Sequence, residues 1–200
     1  MFCSYQYNHN PLFPRSVFLG DSITANPPQW PDALFALVGS VGGPFYNVAH
    51  DGWTSLDVLA DLTTSVLPLA PITTGVPALA CTLVGANDFL TRTAAETYGT
   101  VKQIWAQLRA WKFITMGCTT IANNNQPQGS DWDNTRLAFN ILVASDQTLY
   151  DCYCDDAFPF PYSQVGYLTQ DGTHPNQLGA NKLAAFCLQN ARTSQFIPLT

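Results

Sequence analysis

The sequence predicts a three-layer α/β/α domain built on a parallel sheet of about five strands. Three observations carry this. Short apolar runs alternate with longer helix-periodic segments five times, the pattern of a parallel sheet joined by right-handed crossover helices. The run Ala78–Val84 (ALACTLV) is apolar without a break, as a strand covered on both faces must be. A chain of 200 residues, 46% of them hydrophobic, can bury one sizeable core. It is read as a single domain over residues 1–200, with 1–14 as an extended N-terminal segment.

Each element has its own signal. Ser16–Gly20 (SVFLG) is a short strand. Trp30–Val38 is a helix opened by Pro27-Pro28 and closed near Gly39. Phe45–Ala49 is a second strand, after the turn at Gly42-Gly43-Pro44. Thr54–Leu67 is a helix with Leu56, Leu59, Ala60, Thr63 and Leu67 on its buried face. After the Ala78–Val84 strand, Ala94–Trp111 is the clearest helix, because Val101, Ile104, Trp105, Leu108 and Trp111 recur at helical spacing. Lys112–Cys118 is the next strand. Asp133–Leu149 is helical, with Leu137, Ile141, Ala144 and Thr148 as its stripe. Asp151–Ala157 is a weaker fifth strand, and Asn176–Asn190 a final helix.

Composition excludes several functions. Charged residues make up 11% and net charge is −6, with the 8 basic residues unclustered. A nucleic-acid partner would need a basic stripe. No uninterrupted apolar run reaches the roughly 18 residues of a membrane span. The first residues, MFCSYQYNHNPLFPR, lack the charged-then-apolar pattern of a signal peptide. The composition is compatible with a secreted or a cytoplasmic life, so compartment stays open, as does oligomeric state. The six cysteines, Cys3, Cys81, Cys118, Cys152, Cys154 and Cys187, form no CxxC pair and no Cys/His set at zinc spacing. Cys81 and Cys118 read as small buried hydrophobes. Cys152 and Cys154 are expected on opposite faces of their strand, unable to bridge each other. No metal and no cofactor is expected.

In parallel sheets, sites form in loops beyond the carboxyl ends of the strands. Four motifs fall there: Gly20-Asp21-Ser22-Ile23-Thr24 after the first strand, His50-Asp51-Gly52-Trp53 after the second, Gly85-Ala86-Asn87-Asp88 after the third, and Asp171-Gly172-Thr173-His174-Pro175-Asn176 before the last helix. Acyl transfer needs a nucleophile, a base in reach of it, a group that orients the base, and donors for the oxyanion. Ser22 leaves a strand end. His174 lies in a loop punctuated by Gly and Pro, with Asp171 three residues before it. Gly52 lets backbone approach a ligand, and Asn87 offers an N–H₂ donor. Each motif alone is a common turn; the order and placement of all four is not.

The set resembles the SGNH/GDSL hydrolase superfamily, whose blocks carry Ser, Gly, Asn and His in this chain order. The resemblance spans residues 20 to 176. It implies a flavodoxin-like sheet and a serine esterase acting through an acyl-enzyme, with no cofactor. It assigns Ser22 as nucleophile, His174 as base and Asp171 as its orienter. The oxyanion donors would be the N–H groups of Ser22 and Gly52 and the side chain of Asn87. The Gly52 block is the loosest match, since His50 and Asp51 are unusual beside it. His50, Trp53 and Phe89 are candidates for the substrate pocket, with the run Phe158–Tyr162 (FPFPY) as a further apolar wall. Asp21 and Asp88 are expected to hold loop backbone in place. Short loops favour a small-molecule ester with a short acyl group such as acetyl, carbohydrate-linked esters included. The alternatives are a carbohydrate-binding or adhesion module with a decayed site, and a thioesterase or lysophospholipase. The Gly-x-Ser-x-Gly elbow of α/β-hydrolases, the phosphate loop and His-Glu-x-x-His are absent.

Overall fold

A computed structural model of the chain describes residues 15–38, 43–146, 148–157 and 165–193. The N-terminal segment 1–14, Cys3, the closure at Gly39 and the FPFPY run lie outside the described residues. Five strands, β1 (Ser16–Gly20), β2 (Phe45–Asn47), β3 (Leu79–Leu83), β4 (Ile114–Cys118) and β5 (Cys152–Cys154), form one sheet in the order β2-β1-β3-β4-β5. Every pairing is parallel, with Ser16 beside both Phe45 and Leu79 at the base of the sheet. This is the flavodoxin-like order, whose topological switch lies between β1 and β3.

The helices are α1 (Ser22–Ala25), α2 (Trp30–Val38), α3 (Ser55–Asp61), α4 (Pro71–Thr74), α5 (Ala94–Ala110), α6 (Asp131–Ser145) and α7 (Gln177–Thr193). Two cores result. Val17, Leu19 and Ala80 pack beneath α3, α5 and α6 with Val58, Val101, Trp105 and Phe139. Phe18, Cys81, Met116 and Cys154 face α2 and α7 with Trp30, Leu34, Leu183 and Cys187. Alternate residues of one strand thus serve opposite cores, as the period of two requires.

Helix starts are chemically specified. Thr54 and Thr93 each accept from the backbone N–H three residues on, while Asp57 and Glu96 reach back to the cap N–H. Both are capping boxes. Ser130 caps α6, with Asp131 and Asp133 in its first turn.

Three expectations are corrected. In the Thr54–Leu67 segment the buried residues are Val58, Leu62 and Val66, whereas Leu56 is half exposed. The segment passes from α-helix into a π turn at Leu62–Val66 and a 3₁₀ turn at Leu67–Leu69. In α6 the buried face carries Trp132, Asp133, Arg136, Phe139 and Val143, while Leu137 and Ile141 face outward. Cys152 and Cys154 share the α7 face, because residues two apart on a strand point the same way. The helical stretch Ser55–Thr74 has 20 residues and a mean hydropathy of 1.2, enough by length and composition to cross a membrane. Here Pro68 and Pro71 interrupt it, and Val58, Leu62 and Val66 dock it on the core.

Candidate active site

The first loop begins where β1 meets β3. A Cβ on Gly20 would collide with the Leu83 carbonyl, so only glycine lets the chain turn there. Asp21 then caps α1, its Oδ1 accepting the Ile23 N–H at 3.0 Å. Ser22 is the first helical residue, 8% exposed and beside a fully buried Asp21. Burial pushes the Asp21 carboxyl up to about 7; the Asp88 charge adds to this, and the Ile23 N–H and the positive charge of His174 oppose it. His174 lines a cleft together with Asn26, the C-cap of α1.

The second loop is tied to the first. The His50 N–H donates to the Gly20 carbonyl at 3.2 Å, and the Asn26 side chain donates to Asp51 at 3.2 Å. Gly52 is exposed with φ +74°, a left-handed conformation in which a side chain would be strained. The third loop is tied to the second: Asn87 Nδ2 donates to the Trp53 carbonyl at 2.9 Å. That bond uses one amide proton and leaves the other for a ligand. Asp88 is wholly buried. It accepts from the Ser55 N–H and hydroxyl, at 2.8 and 2.6 Å, and from Arg92 at 2.7 Å.

The fourth loop folds back on itself around one carboxylate. Asp171 Oδ1 accepts from Thr169 Oγ1, the Thr173 N–H and the His174 N–H, at 2.5, 2.8 and 3.0 Å. Its Oδ2 meets His174 Nδ1 at 2.7 Å. Partial burial pushes the Asp171 carboxyl up, but His174, Thr169 and the two backbone donors together hold it well below the usual carboxylate range. A carboxylate on Nδ1 selects the tautomer with that nitrogen protonated and leaves Nε2 free as a base. Nε2 is buried and has no hydrogen-bond partner among the described residues, so no Ser22–His174 bond is made in this structure. In ligand-free serine hydrolases such bonds are often long and tighten with substrate.

Sequence reasoning missed the support for this loop. The run Asn123-Asn124-Asn125 lies against it: Asn125 Nδ2 donates to the Asp171 carbonyl and to Thr173 Oγ1, Thr173 donates to Asn123, and the Asn124 N–H donates to the Gly172 carbonyl. Three successive amides in a loop were the only signal available. A cleft of about 450 Å³ opens beside His174, lined by Asn26, Pro27, Thr169, Gln170 and Asp171. The candidate pocket residues His50, Trp53 and Phe89 do not line this cleft. Phe89 is 4% exposed and packs on Trp132 and Phe139, so it belongs to the core. His50 and Trp53 stack at 4.0 Å across the Gly52 turn, with Trp53 half-buried against the core.

Comparisons with known proteins follow this geometry. A sequence profile of the GDSL-like lipase/acylhydrolase family matches residues 18–182. No curated protein matches the sequence. Among solved structures, the chain is similar to a lipase/acylhydrolase from Enterococcus faecalis, at 22% identity over 90% of this chain and 96% of that one, with a TM-score of 0.69. It is similar to a GDSL-like lipase from Bacteroides thetaiotaomicron, at 20% identity over 90% and 89%, with a TM-score of 0.71. A variant of an acetyl-xylooligosaccharide esterase from Geobacillus gives 17% identity over 88% and 93%, with a TM-score of 0.70. At these identities the likeness is one of fold.

Proposed function

The chain belongs to the GDSL-like lipase/acylhydrolase family and is a carboxylic ester hydrolase of it, and from that premise we propose a serine mechanism centred on Ser22. The observation that carries this reading is the state of His174. Asp171 grips its Nδ1 at 2.7 Å, and its buried Nε2 has no partner among the described residues. An imidazole so held is the base for Ser22 in this reading. Nε2 takes the Ser22 proton as Oγ attacks the ester carbonyl. The C–O bond to the alcohol breaks as His174 returns that proton to the leaving oxygen. Water, activated by the same nitrogen, then releases the acid from the acyl-enzyme. The Ser22 and Gly52 N–H groups and the free amide proton of Asn87 are the oxyanion donors in this reading.

The substrate is an ester of a short acyl group with a small polar alcohol, a sugar hydroxyl included. The side chains of Asn26, Thr169 and Gln170 support this, offering hydrogen bonds to an alcohol moiety beside His174, whereas a long acyl chain would need an extended apolar wall. One aromatic that could have lined such a wall, Phe89, is in the core.

A fluorophosphonate probe tests the mechanism. Wild type should be labelled at Ser22, and Ser22→Ala should lose both labelling and at least about a thousandfold in kcat while remaining folded. Labelling that persists in Ser22→Ala would place the nucleophile elsewhere. An unlabelled wild type with no turnover of acetyl esters would favour a binding module with a decayed site.

A further inference from the structure

On the sheet face covered by α7, sulfur and carboxyl groups converge. Cys81 Sγ of β3 lies 3.4 Å from Cys118 Sγ of β4. Cys154 Sγ of β5 lies 3.1 Å from Asp156 Oδ1. The donor atoms of Cys118, Cys154 and Asp156 all fall within 4.8 Å of one another. Cys187 of α7 packs in the same core cluster, its Sγ 3.3 Å from Met116 Sδ of β4. None of these residues is more than 2% exposed.

Buried thiols alone would be ordinary core residues. The carboxyl is not ordinary. Asp156 is 1% exposed, and its Oδ2 is buried with no hydrogen-bond partner among the described residues. Hydrophobic packing gains nothing from a carboxyl there, and an unsatisfied buried oxygen carries a desolvation cost. Coordination would use that oxygen. In a tetrahedral site with metal–sulfur bonds of about 2.3 Å and metal–oxygen bonds of about 2.0 Å, ligand atoms stand roughly 3.3–3.8 Å apart. The Cys81–Cys118 and Cys154–Asp156 separations, 3.4 and 3.1 Å, lie near that range, and the three donor atoms of Cys118, Cys154 and Asp156 would draw in around an ion.

We propose that Cys118, Cys154 and Asp156 form a structural site for a thiophilic divalent cation of the zinc type, completed by the thiol of Cys81 or Cys187. Thiolates suit zinc, and a closed four-coordinate shell suits a structural rather than a catalytic ion. On loading, three metal–sulfur bonds and one metal–oxygen bond form. The three S–H protons and any proton on the carboxyl pass to solvent, and no electron is transferred. The ion would clamp β4, β5 and the loop after β5. It has no part in the Ser22 chemistry, so its failure would leave that reading untouched.

The test uses the whole chain, expressed in zinc-supplemented medium and purified under reducing conditions without chelator. Elemental analysis should find about one zinc per chain, falling to about a tenth or less in Asp156→Asn and Cys154→Ser. Thiol titration in denaturant should find all six cysteines reduced. Because a cysteine variant can fail to fold, cobalt-loaded wild type provides a second readout: sulfur-to-cobalt charge transfer with tetrahedral ligand-field bands. Metal-free wild type with six free thiols, fewer than six thiols through disulfide formation, an octahedral cobalt spectrum, or equal zinc in folded Asp156→Asn would each overturn the proposal.

Discussion

Asp21 and Asp171 are two carboxyls pulled in opposite directions, one at each end of the candidate site. A carboxyl held at about 7 in the fold and at about 3.8 when exposed binds its proton more readily in the folded state. Its contribution to stability is therefore full below about pH 4 and is lost as pH rises through about 7, a change on the order of 4 kcal/mol. Asp171 has the reverse sign. Its contribution is present above the ordinary carboxylate range and is lost as pH falls below it. The difference in unfolding free energy between wild type and Asp21→Asn should thus slope from pH 4 to 7, measured by urea titration at several pH values; parallel curves would mean Asp21 does not titrate in that window. At the other loop, Asn87→Ala removes one proposed oxyanion donor. It should lower kcat by about a hundredfold with KM little changed. A rise in KM alone would instead make Asn87 a substrate-binding residue. Ser22, Asn87, Asp171 and His174 were legible as candidates because chemistry limits which residue types can act. The Asn123–Asn125 buttress was not, because an amide supporting a loop carbonyl leaves no distinctive spacing.

Elements whose buried face is wholly apolar were readable. In α5 the residues Val101, Ile104, Trp105 and Leu108 fall on the core as their spacing demanded. In α6 the spacing misled, because part of the buried face is an ion pair. Arg136 and Asp133 meet at 2.7 Å with almost no exposure, and an apolar stripe search discards both. The Thr54–Leu67 segment misled for a different reason: a π turn rotates the face partway along, so one periodicity cannot describe it. Polar ties also join elements. Asp88, in the loop before α5, receives the first N–H of α3 and the Arg92 guanidinium. Asp88→Ala would strand the Ser55 N–H and remove the partner of a half-sheltered cation. It should destabilise the fold by about 3 kcal/mol, whereas Asp88→Asn should lose less. Thermal or urea unfolding checks the pair. Equal and small losses would show that α3 is held by Val58 and Leu62 alone.

At the scale of the molecule, the strand order puts Ser22 and Asn87 at the carboxyl ends of β1 and β3, on either side of the topological switch. This was legible because alternation of strand and helix dictates it. Side-chain convergence across strands was not: Cys118 and Cys154 are 36 positions apart, and only the register of β4 against β5 brings them together. The same limit applied to the substrate cleft. An aromatic beside a motif, such as Phe89, looks like a pocket wall in one dimension and is a core residue in three. The cleft that does open beside His174 carries two amides, a hydroxyl and a carboxylate beside Pro27, and the proposed preference for short acyl groups rests on them. Each methylene that finds an apolar wall gains about 0.8 kcal/mol, close to fourfold in kcat/KM. Such gains compound along a lipid-like groove and vanish in a polar one. Across p-nitrophenyl esters from acetyl to dodecanoyl, kcat/KM should therefore peak at acetyl or butyryl and fall steeply by octanoyl, with acetylated sugars turned over beside them. A value still climbing at octanoyl would require an apolar channel. It would replace the short-acyl reading with a lipase or lysophospholipase, while leaving Ser22 and His174 in their places.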